Sequence, residues 1–100
     1  MRVLLTEADA PRPSTLYQAL HRCNFVVDVA VDDEAAWELL HSFVYDLVVL
    51  DVLLPELDGI KLCHRLREVG NPVLVLLMLN SSNADDRIQG LKSGADGYLI

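Results

Sequence analysis

Apolar positions along the chain alternate between two spacings. Val3–Thr6 is a short apolar run that reads as a buried strand. Leu16, Ala19, Leu20 and Cys23 then recur at helical spacing, in a helix that Ser14 can cap and that runs to about Arg22. Phe25, Val27, Val29 and Val31 alternate with smaller or polar residues, which predicts a second strand with one face more exposed. Asp32 or Asp33 caps a second helix through His41, with Ala36, Trp37, Leu39 and Leu40 inside. Leu47–Leu50 is a third strand. A third helix starts at Gly59 or Ile60, turns Cys63, Leu66 and Val69 inward, and closes at Gly70. Pro72 leads into a fourth strand, Val73–Leu79. A fourth helix from Ser82 or Asn83 to Ser93 closes at Gly94, and Tyr98–Ile100 is a fifth strand.

Strand and helix follow one another throughout, which predicts an α/β, doubly wound parallel sheet with right-handed crossovers. Helices are expected on both faces. No linker, low-complexity stretch or internal repeat interrupts the 100 residues, so one domain spans 1–100. No helix follows the fifth strand, so apolar surface is expected to stay uncovered on that side.

The most informative run is Tyr45-Asp-Leu-Val-Val-Leu-Asp51-Val-Leu-Leu-Pro55-Glu-Leu-Asp58-Gly59. Its Val and Leu residues read as a strand buried on both faces, and Asp51 stands where that strand ends. In open parallel sheets the chemistry lies beyond the carboxyl ends of the strands. The plainer reading is that Asp51 caps the following turn.

Composition narrows the field. Fifteen acids against eight bases give a formal charge of −7, which argues against this segment itself gripping nucleic acid or an anionic membrane. Apolar residues make up 52%, enough for a real core. The two cysteines, Cys23 and Cys63, are expected in helices, form no C-x-x-C pair, and fit a reducing, cytoplasmic setting. No apolar run is long enough to span a bilayer, and the first residues turn acidic too soon for a signal peptide.

Glu7 and Asp9 come after the first strand. If strands one and three are neighbours, Glu7 and Asp51 meet at a switch point of the sheet. Clustered carboxylates and carbonyls suit a hard cation such as magnesium, beside which a carboxylate can attack phosphorus. The alternative is that Glu7 and Asp9 cap the first helix or are simply solvated. His21, His41 and His64 fall on three helices without ligand spacing, and Trp37 reads as core.

The acidic Glu7-Ala8-Asp9, the run Asp46–Asp51 with Leu54-Pro55 and Asp58-Gly59, and Arg87–Leu99 with Gly94-Ala95-Asp96-Gly97-Tyr98 together resemble the receiver domain of two-component response regulators. The resemblance spans essentially the whole chain. It implies a flavodoxin-like fold with strand order 2-1-3-4-5 and Asp51 as phospho-acceptor, loaded by a histidine kinase. The pattern is nearest to regulators with a winged-helix DNA-binding domain downstream, so the chain is expected to be the N-terminal part of a longer regulator. The resemblance also makes Tyr98 the switch aromatic and places Arg87 and Asp96 at intersubunit ion pairs, one of which Gly97 interrupts.

The chain departs from that family where phosphoryl chemistry is concerned. Ala8 stands where a direct magnesium ligand is expected, and Asp9 points away from it on an extended segment. What remains is a weak magnesium site of Glu7, Asp51 and the Leu53 carbonyl. The switch hydroxyl at the end of strand four falls on Leu79 by ungapped counting; a slip of one or two residues offers Asn80 or Ser81. The family's lysine and fifth helix would come after Ile100. The reading is a signalling module rather than an enzyme: a degenerate receiver with impaired phosphorylation at Asp51 that controls an output domain. A conventional phospho-acceptor is the alternative. A flavin- or nucleotide-binding domain ranks last, because residues 7–14 contain no glycine and are acidic. A homodimer or larger assembly through the helix four–strand five side is expected.

Overall fold

The computed structural model describes residues 1–6, 15–51, 59–78, 88, 92 and 94–99. Its elements are β1 (Arg2–Thr6), α1 (Thr15–Arg22), β2 (Val26–Ala30), α2 (Asp33–Ser42), β3 (Leu47–Asp51), α3 (Gly59–Glu68), β4 (Leu74–Met78) and β5 (Gly97–Leu99). The five strands form one sheet in the order β2-β1-β3-β4-β5, with every neighbouring pair parallel. This is the order expected from the sequence. Ile88 and Lys92 are helical; the rest of the expected fourth helix lies outside the described residues.

The central strands are apolar on both faces because both are covered. Leu4, Val48, Leu50, Val75 and Leu77 pack with Ala36 and Leu40 of α2 and Leu62, Cys63 and Leu66 of α3. Val3, Leu5 and Val49 point the other way, toward Leu16, Tyr17 and Leu20 of α1. Period-two alternation thus feeds two cores from the same central strands. Each such large side chain, fully buried, contributes roughly 1.5–3 kcal/mol. On the second face α1 is the helix that packs among the described residues, and Phe25, Val27, Leu47 and Met78 are only partly covered there.

Local signals set the helix ends. Asp32 caps α2, its carboxylate accepting the Ala35 N–H at 2.7 Å. Helix α3 ends in a Schellman turn: Asn71 N–H donates to Leu66 O and Gly70 N–H to Arg67 O, with Gly70 at φ 77°. Helix α1 ends the same way around Asn24, at φ 63°. Asparagine tolerates this left-handed backbone better than most residues, and the sequence reading had not singled it out.

Several inward positions differ from expectation. Cys23 lies beyond α1 and is exposed. Tyr17, not Ala19, faces the sheet beside Leu16 and Leu20. In α3, Leu62 is buried and Val69 is 60% exposed, since the helix ends at Glu68 and Val69 already belongs to the turn. Strand β2 is a sheet edge that ends at Ala30, and of the expected inner face Val29 and, just beyond the strand, Val31 are exposed. Strand β4 begins at Leu74, one residue after the expected start, and β5 begins at Gly97.

Candidate functional site

The site expected from the sequence lies at the carboxyl edge of the sheet. Strand β3 is central, flanked by β1 and β4, and its last residue is Asp51. Asp51 is in register with Met78, the last residue of β4. Asp51 is therefore placed at the carboxyl end of the middle strand, where an open parallel sheet presents a crevice.

Thr6 closes β1 beside it. It is fully buried, and its hydroxyl donates to the Val49 carbonyl at 3.1 Å. That bond ties the ends of β1 and β3 together and commits the hydroxyl to the backbone. Glu7, Ala8, Asp9, Leu53, Leu79, Asn80, Ser81 and Arg87 lie outside the described residues. In sequence, Glu7 follows Thr6, the last residue of β1, and Leu79 follows Met78, the last residue of β4. Among the described residues no three His, Cys, Asp or Glu side chains gather around a common point. Of the donors expected to hold magnesium, Asp51 is the one on a described element.

Tyr98 sits in the middle of β5, in register with Leu77, and is 36% exposed. It occupies the outer strand, two positions across the sheet from Asp51's strand. Asp96 is held within the chain: its carboxylate accepts from Arg67 Nη2 and from the Val75 N–H, each at 2.8 Å. The histidines remain apart, on α1, α2 and α3; His41 Nδ1 lies 2.8 Å from the Trp37 carbonyl oxygen, and His64 pairs with Glu68. Trp37 is half-buried against the core, with the Arg65 guanidinium 4.1 Å above its ring.

The opposite, amino edge carries a polar cluster that the sequence reading missed. Asp28 accepts from Tyr45 Oη at 2.6 Å and from Arg2 Nε and Nη2 at 3.1 and 2.9 Å. The tyrosine hydrogen bond, together with Arg2, holds the Asp28 carboxyl below its ordinary range. Burial, and then the neighbouring Asp28, push the Tyr45 hydroxyl up to about 12. Arg2 also lies 4.1 Å from the Phe43 ring centroid, and the Asp46 carboxylate accepts the Arg2 N–H. A cleft of about 390 Å³ lined by Leu40, Phe43, Tyr45, Asn71 and Val73 opens on this edge, away from Asp51. Separation of Arg2, Asp28 and Tyr45 along the chain hid the cluster.

Comparison with known proteins agrees with this geometry. Residues 3–100 match the model of the response regulator receiver domain. The chain is 41% identical over 100 residues to the protein RcaC of Microchaete diplosiphon, covering all of this chain and 15% of RcaC. It is 43% identical over 99 residues to the transcriptional regulatory protein TctD of Salmonella typhimurium, covering 99% of this chain and 44% of TctD. The chain thus spans less than half the length of these curated relatives. Among solved structures, the receiver domain of the Francisella response regulator 1452 superposes with a TM-score of 0.88 at 31% identity, over 98% of this chain and 81% of that one. A central-strand Asp51 at the carboxyl edge of a 2-1-3-4-5 sheet, and a family match along nearly the whole chain, lead to one conclusion: the chain belongs to the response regulator receiver domain family.

Proposed function

We propose that this receiver domain takes a phosphoryl group on Asp51 inefficiently and acts mainly through protein contacts, controlling an output domain such as a DNA-binding one in a longer regulator. The observation that carries the first half is Asp51 at the carboxyl end of β3, beside the end of β1. The second half rests on Ala8 and Leu79, which put a methyl and an isobutyl group where the family has a metal-binding carboxylate and a hydroxyl. Glu7, Asp51 and the Leu53 carbonyl are the residues that would hold magnesium. When bound, magnesium neutralises charge on the transferring phosphoryl oxygens. With one carboxylate fewer, most of its coordination falls to water, and Mg²⁺ tolerates poor geometry badly. Losing one preorganised interaction of this type costs roughly 10²–10³ in rate, or about 3–4 kcal/mol. Losses at Ala8 and Leu79 need not add, because such groups act as a unit.

The partners this reading assigns are a histidine kinase or another signalling protein, and a second copy of the chain. The self-association surface is the helix four–strand five side, with Arg87 close to it. Asp96, expected there as well, has intrachain partners in Arg67 and Val75. Nucleic acid is left to the output domain, since the −7 charge of this segment repels phosphate.

The test is incubation with a small phosphodonor and magnesium, read by intact mass. The expected result is little modification after hours. Stoichiometric, magnesium-dependent modification of Asp51 would establish the alternative, a conventional phospho-acceptor.

A further inference from the structure

One side chain joins three separate segments at the β4–β5 side of the sheet. Arg67 lies in the last turn of α3. Its Nε donates to the Gly94 carbonyl at 2.9 Å. Its Nη1 donates to the carbonyls of Asn71 and Val73 at 2.8 and 2.7 Å. Its Nη2 donates to Asp96 Oδ2 at 2.8 Å, and that same oxygen accepts the Val75 N–H at 2.8 Å. Asp96 N–H in turn donates to the Val75 carbonyl at 2.9 Å. The planar guanidinium thus spends its rigid fork on the end of α3, the lead-in to β4 and the turn before β5.

Gly94 is shaped to this arrangement. Its φ is 100°, and a Cβ built there would lie 2.6 Å from Arg67 Cγ. The turn therefore packs directly on the aliphatic stem whose head it helps to hold.

Strand β5 is three residues long and pairs with β4 through Leu76–Gly97, Leu77–Tyr98 and Met78–Leu99. It is the edge of the sheet, and Tyr98 is partly exposed. A short edge strand of this kind is a low-stability unit that can open without the rest of the sheet.

We propose that Arg67 is a latch: a positioning residue whose bonds to Gly94, Asn71, Val73 and Asp96 hold the start of β5 against β4, so that breaking them frees this edge while β1 and β3 stay closed. The latch goes beyond the receiver reading, since it operates whether or not Asp51 accepts phosphate.

Amide hydrogen exchange on the 100-residue chain tests it, comparing the wild type with Arg67→Met and Asp96→Asn. Expected for Arg67→Met is at least tenfold faster exchange at Val75 and Asp96, with less than twofold change at β1 and β3 amides after correction for global stability. Asp96→Asn keeps an oxygen for the Val75 N–H but loses the charged partner; it should give the same pattern at smaller amplitude. Uniform acceleration across the sheet means Arg67 acts only through global stability, and that overturns the latch. So does unchanged exchange at Val75 and Asp96. If Arg67→Met fails to fold, the Asp96→Asn profile decides by the same two criteria.

Discussion

Thr6 and Val49 are joined by a buried hydrogen bond, hydroxyl to carbonyl at 3.1 Å, two residues before the strand that carries Asp51 ends. The bond sits near the carboxyl ends of β1 and β3. Thr6→Val keeps the shape and removes the donor. The expected loss is about 1 kcal/mol, the usual net worth of such a bond. Urea unfolding of the two proteins checks it; an unchanged midpoint would show that the hydroxyl contributes nothing.

Restoring the missing carboxylate should restore metal binding. Ala8→Asp is expected to tighten magnesium affinity about tenfold or more, because a trianionic cluster suits a hard cation better than Glu7 and Asp51 alone. Titration by isothermal calorimetry or by Trp37 fluorescence would report it. Equal affinities in the two proteins would show that Ala8 is not what limits the site.

Alkaline stability should depend on Tyr45. Its hydroxyl is raised from 10.0 to about 12 by burial and by Asp28. A folded-state value above the unfolded one means stability is fully present below pH 10 and is lost as pH rises through about 12. The loss is on the order of 2 kcal/mol. Tyr45→Phe removes that dependence, so the urea midpoint of the variant should fall less between pH 9 and 11 than that of the wild type. Asp28 works in the opposite direction: its lowered carboxyl contributes stability above its unfolded value of 3.8, lost as pH falls through the folded one.

Two glycines in the left-handed region should respond differently to a methyl group. At Gly70, φ 77°, nothing lies within 4 Å of a built Cβ, so Gly70→Ala carries only backbone strain. That strain is about 1–2 kcal/mol. At Gly94 the same change also drives a Cβ into Arg67 Cγ, and overpacking adds about 1–3 kcal/mol. Gly94→Ala should therefore be the worse of the two, and its excess should shrink in an Arg67→Ala background. A double-mutant cycle by urea unfolding measures this coupling; simple additivity would mean the contact relaxes freely.

Self-association is expected through the helix four–strand five side, favoured by apolar surface that α1 covers only in part. Leu16, Leu20, Phe25 and Met78 are only partly buried there among the described residues. Apolar surface of this kind favours cover by another chain. The 100-residue polypeptide is expected to sediment as a dimer or larger assembly at micromolar concentration. A monomer that binds no hydrophobic dye would count against it.

The sequence by itself determined the order of elements, the parallel sheet and the place of Asp51, because these come from local periodicity, capping residues and the length of apolar runs. Asp32, Gly70 and Leu47–Leu50 each carry that information within a few neighbours. Strand order was legible only through the family pattern that the Asp51 run helps to carry. Tertiary structure alone decided the rest. Val29 and Val31 look like core in sequence, yet β2 lies at an edge and leaves Val29 exposed, and Val31 falls in the bend after it, exposed as well. Val69 has helical spacing, but a turn removes it from the buried face. Arg2, Asp28 and Tyr45 come together from three segments, and Arg67 meets Gly94 and Asp96 across 27 and 29 residues. A charged side chain takes its partner from whatever the folded sheet brings within reach, and no local pattern encodes that choice.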